Sequence, residues 1–553
     1  MKTGGWDTIV VGGGTAGAVV AARLSEEPGR RVLLLEAGGR GRDPMIAVPM
    51  MGGVLFRGTR HTWRDETEPV PGFGGRRSSW PRGKVLGGSS AINGTVYVRG
   101  LPSDYDRWAQ SGLVGWSWEA LYPLFLRSEA FQGPGGLPDV HGRGGPLAVS
   151  RPARPVSRLS EAFVAAGIAA GYPASADFNG PDPEGFGYFH FARRNGRRET
   201  TATAFLGPAR RRPNLDIRTG AHVLRIVVEG GRAAAVEIAH RGRPLRLDAG
   251  GAIVLSAGTI GSPQLLMLSG IGPPDELRRH GIAVVAAAPE VGRNLQDHVL
   301  ARVQHLAGDD PAARAATLFP LARADRAAWA FARAYLAGRG PMTVFPLEAG
   351  AYLRSVGADL PDLQSHFLPA LTTAAVRLNP LAAGAANDRP GFMANVVVMR
   401  PQSRGRLSLR SADPLVPPLI EPNYLAEHYD VERLLDGVEI LREVFAQAPF
   451  DRWRGAELTP GPDVIGRAAL EAFVRRTADT VFHPVGTCRM GVDPHAVVDA
   501  ALRVRGVDGL RVADASVFPT IPSTNTAAPT MMVGEKAAEL IRSSGIAAGG
   551  PAA

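Results

Sequence analysis

Gly12, Gly14 and Gly17 form a G-x-G-x-x-G spacing, and Glu36 follows nineteen residues after the last of them. Residues of these types at these intervals can hold a dinucleotide. The first glycine permits a tight turn, the second admits a pyrophosphate close to the backbone, and the third lets a helix lie against a strand. A carboxylate at that distance can accept both hydroxyls of an adenosine ribose. It disfavours a 2′-phosphate, so the ligand is FAD or NAD rather than NADP. The glycines alone are a weak signal, and their context strengthens it. The apolar run Thr8–Val11 predicts a buried strand, Thr15 to about Glu27 a helix ended by Pro28-Gly29, and Val32–Leu35 a second strand that delivers Glu36.

Residues 80–100 interleave glycines, Ser89 and Ser90 with small apolar side chains, the pattern of backbone wrapped closely around a ligand. Near the carboxy terminus, Leu510–Ala513 reads as a strand ending in Asp514. Pro529 stands where the first residue of a last helix should be, with Asn525 and Thr526 just before it. A helix N-terminus there offers free N–H groups and partial positive charge, which suits a ligand that becomes anionic on reduction. Between these ends, Leu215–Ile217, Ala221–Val228, Ala233–Ile238 and Ala252–Leu255 predict strands. Pro263 suits the first turn of a helix Gln264–Ser269. Residues 310–340 read as helical, 392–424 as short strands and 430–450 as an amphipathic helix with Val431, Leu434, Leu435, Val438, Leu441 and Phe445 on its core face.

The chain has 553 residues, 45% hydrophobic and 21% charged, enough for several domains and an ample core. Its net charge of +10 invites a nucleic-acid reading, but the basic residues are nearly all arginines. They are scattered apart from short clusters such as Arg210–Arg212, and no aromatic platform is interleaved with them, so no nucleic-acid surface is expected. Cys488 is the sole cysteine, which rules out an intrachain disulfide and fits a reducing compartment. The first strand starts within a few residues of Met1, leaving no room for a signal peptide ahead of it. No apolar run approaches the ~18 residues of a membrane span, and a cytoplasmic protein is expected.

Together these blocks resemble the glucose-methanol-choline (GMC) oxidoreductase family, and within it the bacterial choline-dehydrogenase-like alcohol dehydrogenases. The resemblance spans nearly the whole chain. It rests on Gly12–Gly17 with Glu36, on Gly83–Arg99, on Ser262–Pro273, on Gly292–His298, on Val481–Gly491 and on Gly509–Lys536. It implies an α/β plus α+β fold: a Rossmann-like FAD-binding domain and a substrate domain on a mainly antiparallel six-stranded sheet. The flavin domain would be discontinuous, from residues 1–150, 214–305 and 480–545. Residues 151–213 and 306–479 would form the substrate domain, and 546–553 a disordered tail. By motif position, Gly12, Gly14, Thr15, Ala16, Gly17, Glu36 and Ala37 would hold the ADP part of FAD, with Val223 on the adenine side. Val85, Gly88, Asn93, Gly94, Thr95 and Val96 would line the flavin and pyrophosphate, and Ala257, Asp514, Ala515, Asn525 and Thr526 would complete the cofactor site. Members that link FAD covalently can carry a histidine immediately before the asparagine of the second block. Ile92 stands there, so FAD is expected to be non-covalent. No metal site is expected.

The resemblance also implies a reaction: oxidation of a primary alcohol to the aldehyde, with hydride passing to flavin N5. His483 would be the base and Asn525 the second active-site group, its amide donating to a developing alkoxide. Electrons would leave to a quinone-type acceptor or oxygen, with dehydrogenase favoured over oxidase. His298 is expected to fix a loop near the flavin, and Cys488 to be buried packing. Two other chemistries share the fold. Fatty-acid photodecarboxylases lack the base at the position of His483 and carry a substrate-domain cysteine that this chain lacks. Hydroxynitrile-lyase-type chemistry stays open. The substrate pocket is expected mainly from residues 306–479, above all the helices near 310–340 and Phe345–Glu348. No aromatic cage for choline can be placed.

Overall fold

A computed structural model describes residues 5–240, 242–372 and 389–543. The expected tail 546–553 lies outside the described residues.

The parallel core grows from the first apolar runs. Trp6–Val11 lies between Val32–Glu36 and the C-terminal half of Arg243–Leu255, parallel to both. Leu215–Thr219 extends this sheet on one side and Leu510–Val512 on the other. Val10, Leu33, Leu34 and Val254 are buried on both faces, as parallel strands covered by helices require. The N-terminal half of Arg243–Leu255 leaves the parallel sheet and pairs antiparallel with Arg232–His240, which pairs in turn with Ala221–Glu229.

Thr15–Leu24 covers the sheet and packs against the last helix, Ala527–Ser543. Small residues set both approaches. A Cβ on Gly17 would fall 2.0 Å from the Gly12 carbonyl oxygen, and one on Gly534 would fall 2.8 Å from that of Ala16. Three of the helices that reach the parallel sheet differ in their bounds from the sequence expectation. The first helix stops at Leu24 rather than Glu27, because the N–H groups of Glu26 and Glu27 turn to carbonyls three residues back. The third-segment helix runs Gly258–Leu268, with Pro263 inside it. The Thr259 carbonyl that Pro263 cannot satisfy accepts from Thr487 Oγ1 at 2.6 Å instead. Pro529 is the third residue of the last helix, still within the first turn, where no intrahelical N–H bond is lost.

The second sheet is antiparallel. Its strands run in the order Arg454–Thr459, Val299–Ala307, Gly391–Val398, Leu363–Leu368, Ala349–Leu353 and Gly185–Tyr188, with the two-residue strand Asp479–Thr480 beside Val299–Ala307. Val299–Ala307 runs across the boundary at 305/306 drawn from the sequence, because its apolar alternation continues from the preceding motif into this sheet. Strand pleating divides the sheet into two faces. One carries Phe367, Phe392 and Val396 against Arg158–Ala169 and the long helix His428–Ala446: Phe163 stacks on Phe367 at 4.8 Å, and Phe392 meets Phe445 at 5.6 Å. The other face carries Leu300, Arg302, His366, Leu368, Met393 and Asn395 toward an internal cavity. The stretch 310–340 forms two helices, Pro311–Ala316 and Ala324–Ala337, joined through the short turn Phe319–Ala322.

Candidate active site

A cavity of about 920 Å³ lies between the parallel sheet and the inner face of the antiparallel one. Three helix N-termini reach it, through Gly14–Ala16, Ala257–Thr259 and Asn525–Ala527, so unpaired N–H groups and partial positive charge converge on one space. Glu36 accepts from Gly13 N at 3.0 Å and Gly38 N at 2.7 Å, one bond to each oxygen, which leaves acceptor capacity toward the cavity. Burial pushes its carboxyl up, against the pull of those two donors.

Of the expected cofactor residues, Gly12, Gly14, Thr15, Ala16, Glu36, Ala37, Gly88, Asn93, Gly94, Thr95, Val96, Val223, Ala257, Asp514, Ala515, Asn525 and Thr526 line this cavity. Gly17 and Val85 do not. Gly17 presses its helix onto the Gly12 turn. Val85 is fully buried behind the glycine loop, bridged to Gly39 and packed with Ile46, Leu55, Ala91 and Ile92; its side chain follows the apolar cluster rather than the cavity.

The loop after Gly88 is held open by a strained residue. Thr95 has φ +60°, uncommon for a β-branched side chain, and its buried hydroxyl has no hydrogen-bond partner while it lines the cavity. Asn93 Oδ1 fixes the strain by accepting from Thr95 N at 3.0 Å, and Arg198 Nη1 donates to Asn93 Oδ1 at 2.9 Å. Burial lowers the Arg198 guanidinium to about 9. At the far end Asp514 accepts from Gly258 N, Ser262 Oγ and Ser516 N at 2.8, 2.6 and 2.8 Å, tying together two chain segments that start helical turns at the cavity. The orphaned Thr95 hydroxyl, the ready acceptors of Glu36 and the three helix N-termini fit a dinucleotide with a redox-active ring.

The second half of the cavity is built from side chains. His483 reaches it from a turn whose N–H donates to Asp297 Oδ1 at 2.7 Å. Asp297 also accepts from Thr480 Oγ1 and the Tyr424 hydroxyl, and burial raises its carboxyl to about 6. Arg82 donates twice to the Phe482 carbonyl, at 3.0 Å each. A chain of hydrogen bonds then sets the tautomers. His298 Nε2 lies 2.9 Å from the Met399 carbonyl, an acceptor only, so Nε2 carries the proton and Nδ1 is the acceptor. His483 Nδ1, 3.0 Å from His298 Nδ1, must donate to it. His483 Nε2 is left with its lone pair toward the cavity, 3.2 Å from the Asn525 amide nitrogen. Asn525 Oδ1 accepts from Gln364 Nε2 at 3.3 Å, which orients that amide.

His298 was expected to fix a loop; it touches His483 directly. His366 and Asn395 escaped the sequence reading altogether. His366 shares Asn395 Oδ1 between its backbone N–H and Nδ1, and its Nε2 has no partner at the cavity wall. The available signal was a polar residue alternating within an otherwise apolar strand, as in Leu363–Leu368 and Gly391–Val398. Burial lowers all three imidazoles, and for His298 and His483 neighbouring imidazoles add to it. His298 and His366 fall to about 4 and His483 well below its ordinary value, so all are neutral at neutral pH. Cys488 is buried and its thiol pushed up by that burial, an inert packing group.

The pocket wall departs from expectation. The helices Pro311–Ala316 and Ala324–Ala337 contribute no lining residue; the turn between them does, through Leu318, Leu321 and Ala322. Phe345 and Leu347 line it, whereas Glu348 turns away to accept from Val156 N at 3.0 Å. Met50, Met51 and Phe56, far from 306–479 in sequence, complete the wall. Outside the cavity, His141, Asp177 and His190 bring ligand-type atoms within 4.8 Å of one another. His141 uses both ring nitrogens on Glu129 and Asp177, at 2.7 Å each.

Fold and site together define a flavoprotein oxidoreductase. The chain belongs to the GMC oxidoreductase family: family models described as GMC oxidoreductase match residues 6–300 and 401–534. It is an FAD-dependent enzyme of the kind that acts on CH–OH groups. Over 97% of this chain and 95% of the relative, it is 42% identical to an oxygen-dependent choline dehydrogenase of Brucella anthropi. It is 39% identical, over the same shares, to an alcohol dehydrogenase [acceptor] of Pseudomonas putida. Among solved structures, pyridoxine 4-oxidase from Mesorbium loti superimposes with a TM-score of 0.85 at 34% identity, over 98% of this chain and 99% of that one. Among the described residues no helix is long and apolar enough to cross a membrane.

Proposed function

We propose that the protein oxidises a primary alcohol to the aldehyde, with His483 as the base. FAD, when bound, supplies the acceptor for the carbinol hydride. The observation that carries this reading is the Met399–His298–His483 hydrogen-bond chain, which leaves the Nε2 lone pair of a neutral imidazole facing the cavity. That atom takes the hydroxyl proton as the C–H bond breaks. The Asn525 amide, already beside Nε2, donates to the oxygen as negative charge develops on it. FAD is held without a covalent link: Ile92, before Asn93, offers no nucleophile. Glu36, Ala37 and Val223 bind its adenosine end, and Ala515, Asn525 and Thr526 its flavin end. Electrons leave to a quinone-type acceptor or oxygen; one relative is named an alcohol dehydrogenase [acceptor] and another an oxygen-dependent choline dehydrogenase.

The test is an anaerobic titration of the holoenzyme with a panel of primary alcohols, following loss of flavin absorbance, beside His483→Ala. Bleaching that falls about 10³-fold in rate in the variant, with flavin retained, is expected. Oxygen readmission then separates oxidase from dehydrogenase by the speed of colour recovery. Cyanide release from a cyanohydrin with no bleaching by any alcohol would replace this reading with a lyase.

A further inference from the structure

The part of the cavity beyond His483 is apolar, and each carboxylate that lines it is set against an arginine. Its wall is formed by Leu300, Leu318, Met342, Leu347, Leu368 and Met393. Among the described residues, four acids line the cavity: Glu36, Asp65, Asp479 and Asp514. Glu36 and Asp514 belong to the nucleotide half and are bonded to backbone N–H groups there. Asp65 faces Arg82, and Asp479 faces Arg302 at 3.4 Å while accepting from Ser78 Oγ at 2.7 Å. The described lining also carries four arginines, Arg57, Arg82, Arg302 and Arg389, two of which face Asp65 and Asp479. Arg302 sits in the wall itself. It pairs across the sheet with Asn395, which pairs with His366, so the guanidinium stem, the amide and the imidazole share one row on the cavity face.

Three of the lining rings are committed to one another. Phe56 and Phe482 stack on each other at 5.2 Å with an interplanar angle of 18°, and Phe345 meets Phe56 edge-on at 6.3 Å. Lys84 Nζ already lies 4.0 Å over the Trp63 ring. A quaternary ammonium entering this space would lose its hydration and meet the Arg302–Asp479 pair rather than an uncommitted carboxylate. An alkyl or aryl group gains from the same walls.

We infer that the site selects uncharged, apolar primary alcohols and rejects cationic amino alcohols, with Arg302 and the leucine–methionine wall as the determinants. This rests on the alcohol-oxidation reading above and narrows its substrate class. It also separates the chain from relatives whose printed name is choline dehydrogenase.

The decisive pair of substrates is choline and 3,3-dimethylbutan-1-ol, which share a shape and differ by one charge. Flavin reduction in the holoenzyme is followed anaerobically with each, alongside 1-octanol and benzyl alcohol. The expected result is a kcat/KM for the uncharged isostere at least about 100-fold above that for choline. Arg302→Met should shrink that ratio by about tenfold, and Arg302→Lys should retain it. Choline matching or exceeding its isostere would overturn the inference while leaving alcohol oxidation standing. A ratio that Arg302→Met does not move would remove Arg302 as its cause. Reduction by none of the four alcohols would sink the alcohol reading and this inference with it.

Discussion

The two halves of the cavity are made of different materials. The nucleotide half is chiefly backbone: glycines at close approaches, three helix N-termini and the two carboxylates of Glu36 and Asp514, most of it within short stretches such as 12–17 and 88–96. The catalytic half is chiefly side chains from separated strands and turns, with Asp297 and His298, His366, Asn395, His483 and Asn525 meeting across more than two hundred residues. A backbone site fails by steric exclusion, and a side-chain site fails by loss of a proton acceptor or its orientation. Substitutions should therefore give opposite phenotypes in the two halves: loss of the cofactor in one, a yellow but slow enzyme in the other.

The largest effect should come from Gly17→Ala. Its Cβ would lie 2.0 Å from backbone that cannot retreat, and the expected cost is on the order of 3 kcal/mol or more. Purified variant should carry little flavin and melt well below wild type. Full flavin occupancy would break the contrast between the halves. Next is His298→Ala, which leaves the cofactor half untouched but frees the His483 tautomer. A loss of about 10²-fold in kcat, with flavin content unchanged, is expected. Rapid single-turnover reduction at the wild-type rate would show that the tautomer is set elsewhere.

The pH dependence sharpens the comparison further. Because His483 and His298 are held below their ordinary values, the neutral base persists as pH falls through the usual histidine range. The rate of flavin reduction should be flat from about pH 6 to 9, without a rise centred near 6.5. The stability sign follows from the same shift. The unfolded histidines take up protons below about 6.5 while folded His298 and His366 resist until about 4, so stability is complete above that window and is lost as pH falls through it. Asp297, raised to about 6, opposes this, since its protonation favours the folded state. Melting temperatures across pH 4 to 7 measure the balance. The smallest effect on activity should come from Val85→Ala. A cavity behind the glycine loop should cost about 2 kcal/mol of stability while flavin affinity and kcat stay near wild type. A large fall in flavin affinity would place Val85 back at the site.

How much of this was legible in the sequence follows the same division. Gly12, Gly14, Glu36 and Asn93–Val96 could be placed because a glycine spacing and a strand-end acid encode a local shape that survives wherever the unit sits. The packing of Val85 away from the cavity was not legible, because a side chain's direction in an irregular loop depends on which apolar cluster receives it. Pro263 misled because the missing N–H is compensated by Thr487, two hundred residues away.

By itself the sequence determined the dinucleotide turn, the acid that follows it, the family blocks, and the histidine and asparagine that stand near the carboxy terminus. These are properties of residue type and short spacing. Only the tertiary structure decided that His298 touches His483, that His366 and Asn395 share a row with Arg302, and that Phe56 closes a wall expected elsewhere. Strand register and the crossing of two sheets create those contacts. Both depend on which buried faces find each other, a choice that no local run of residues records.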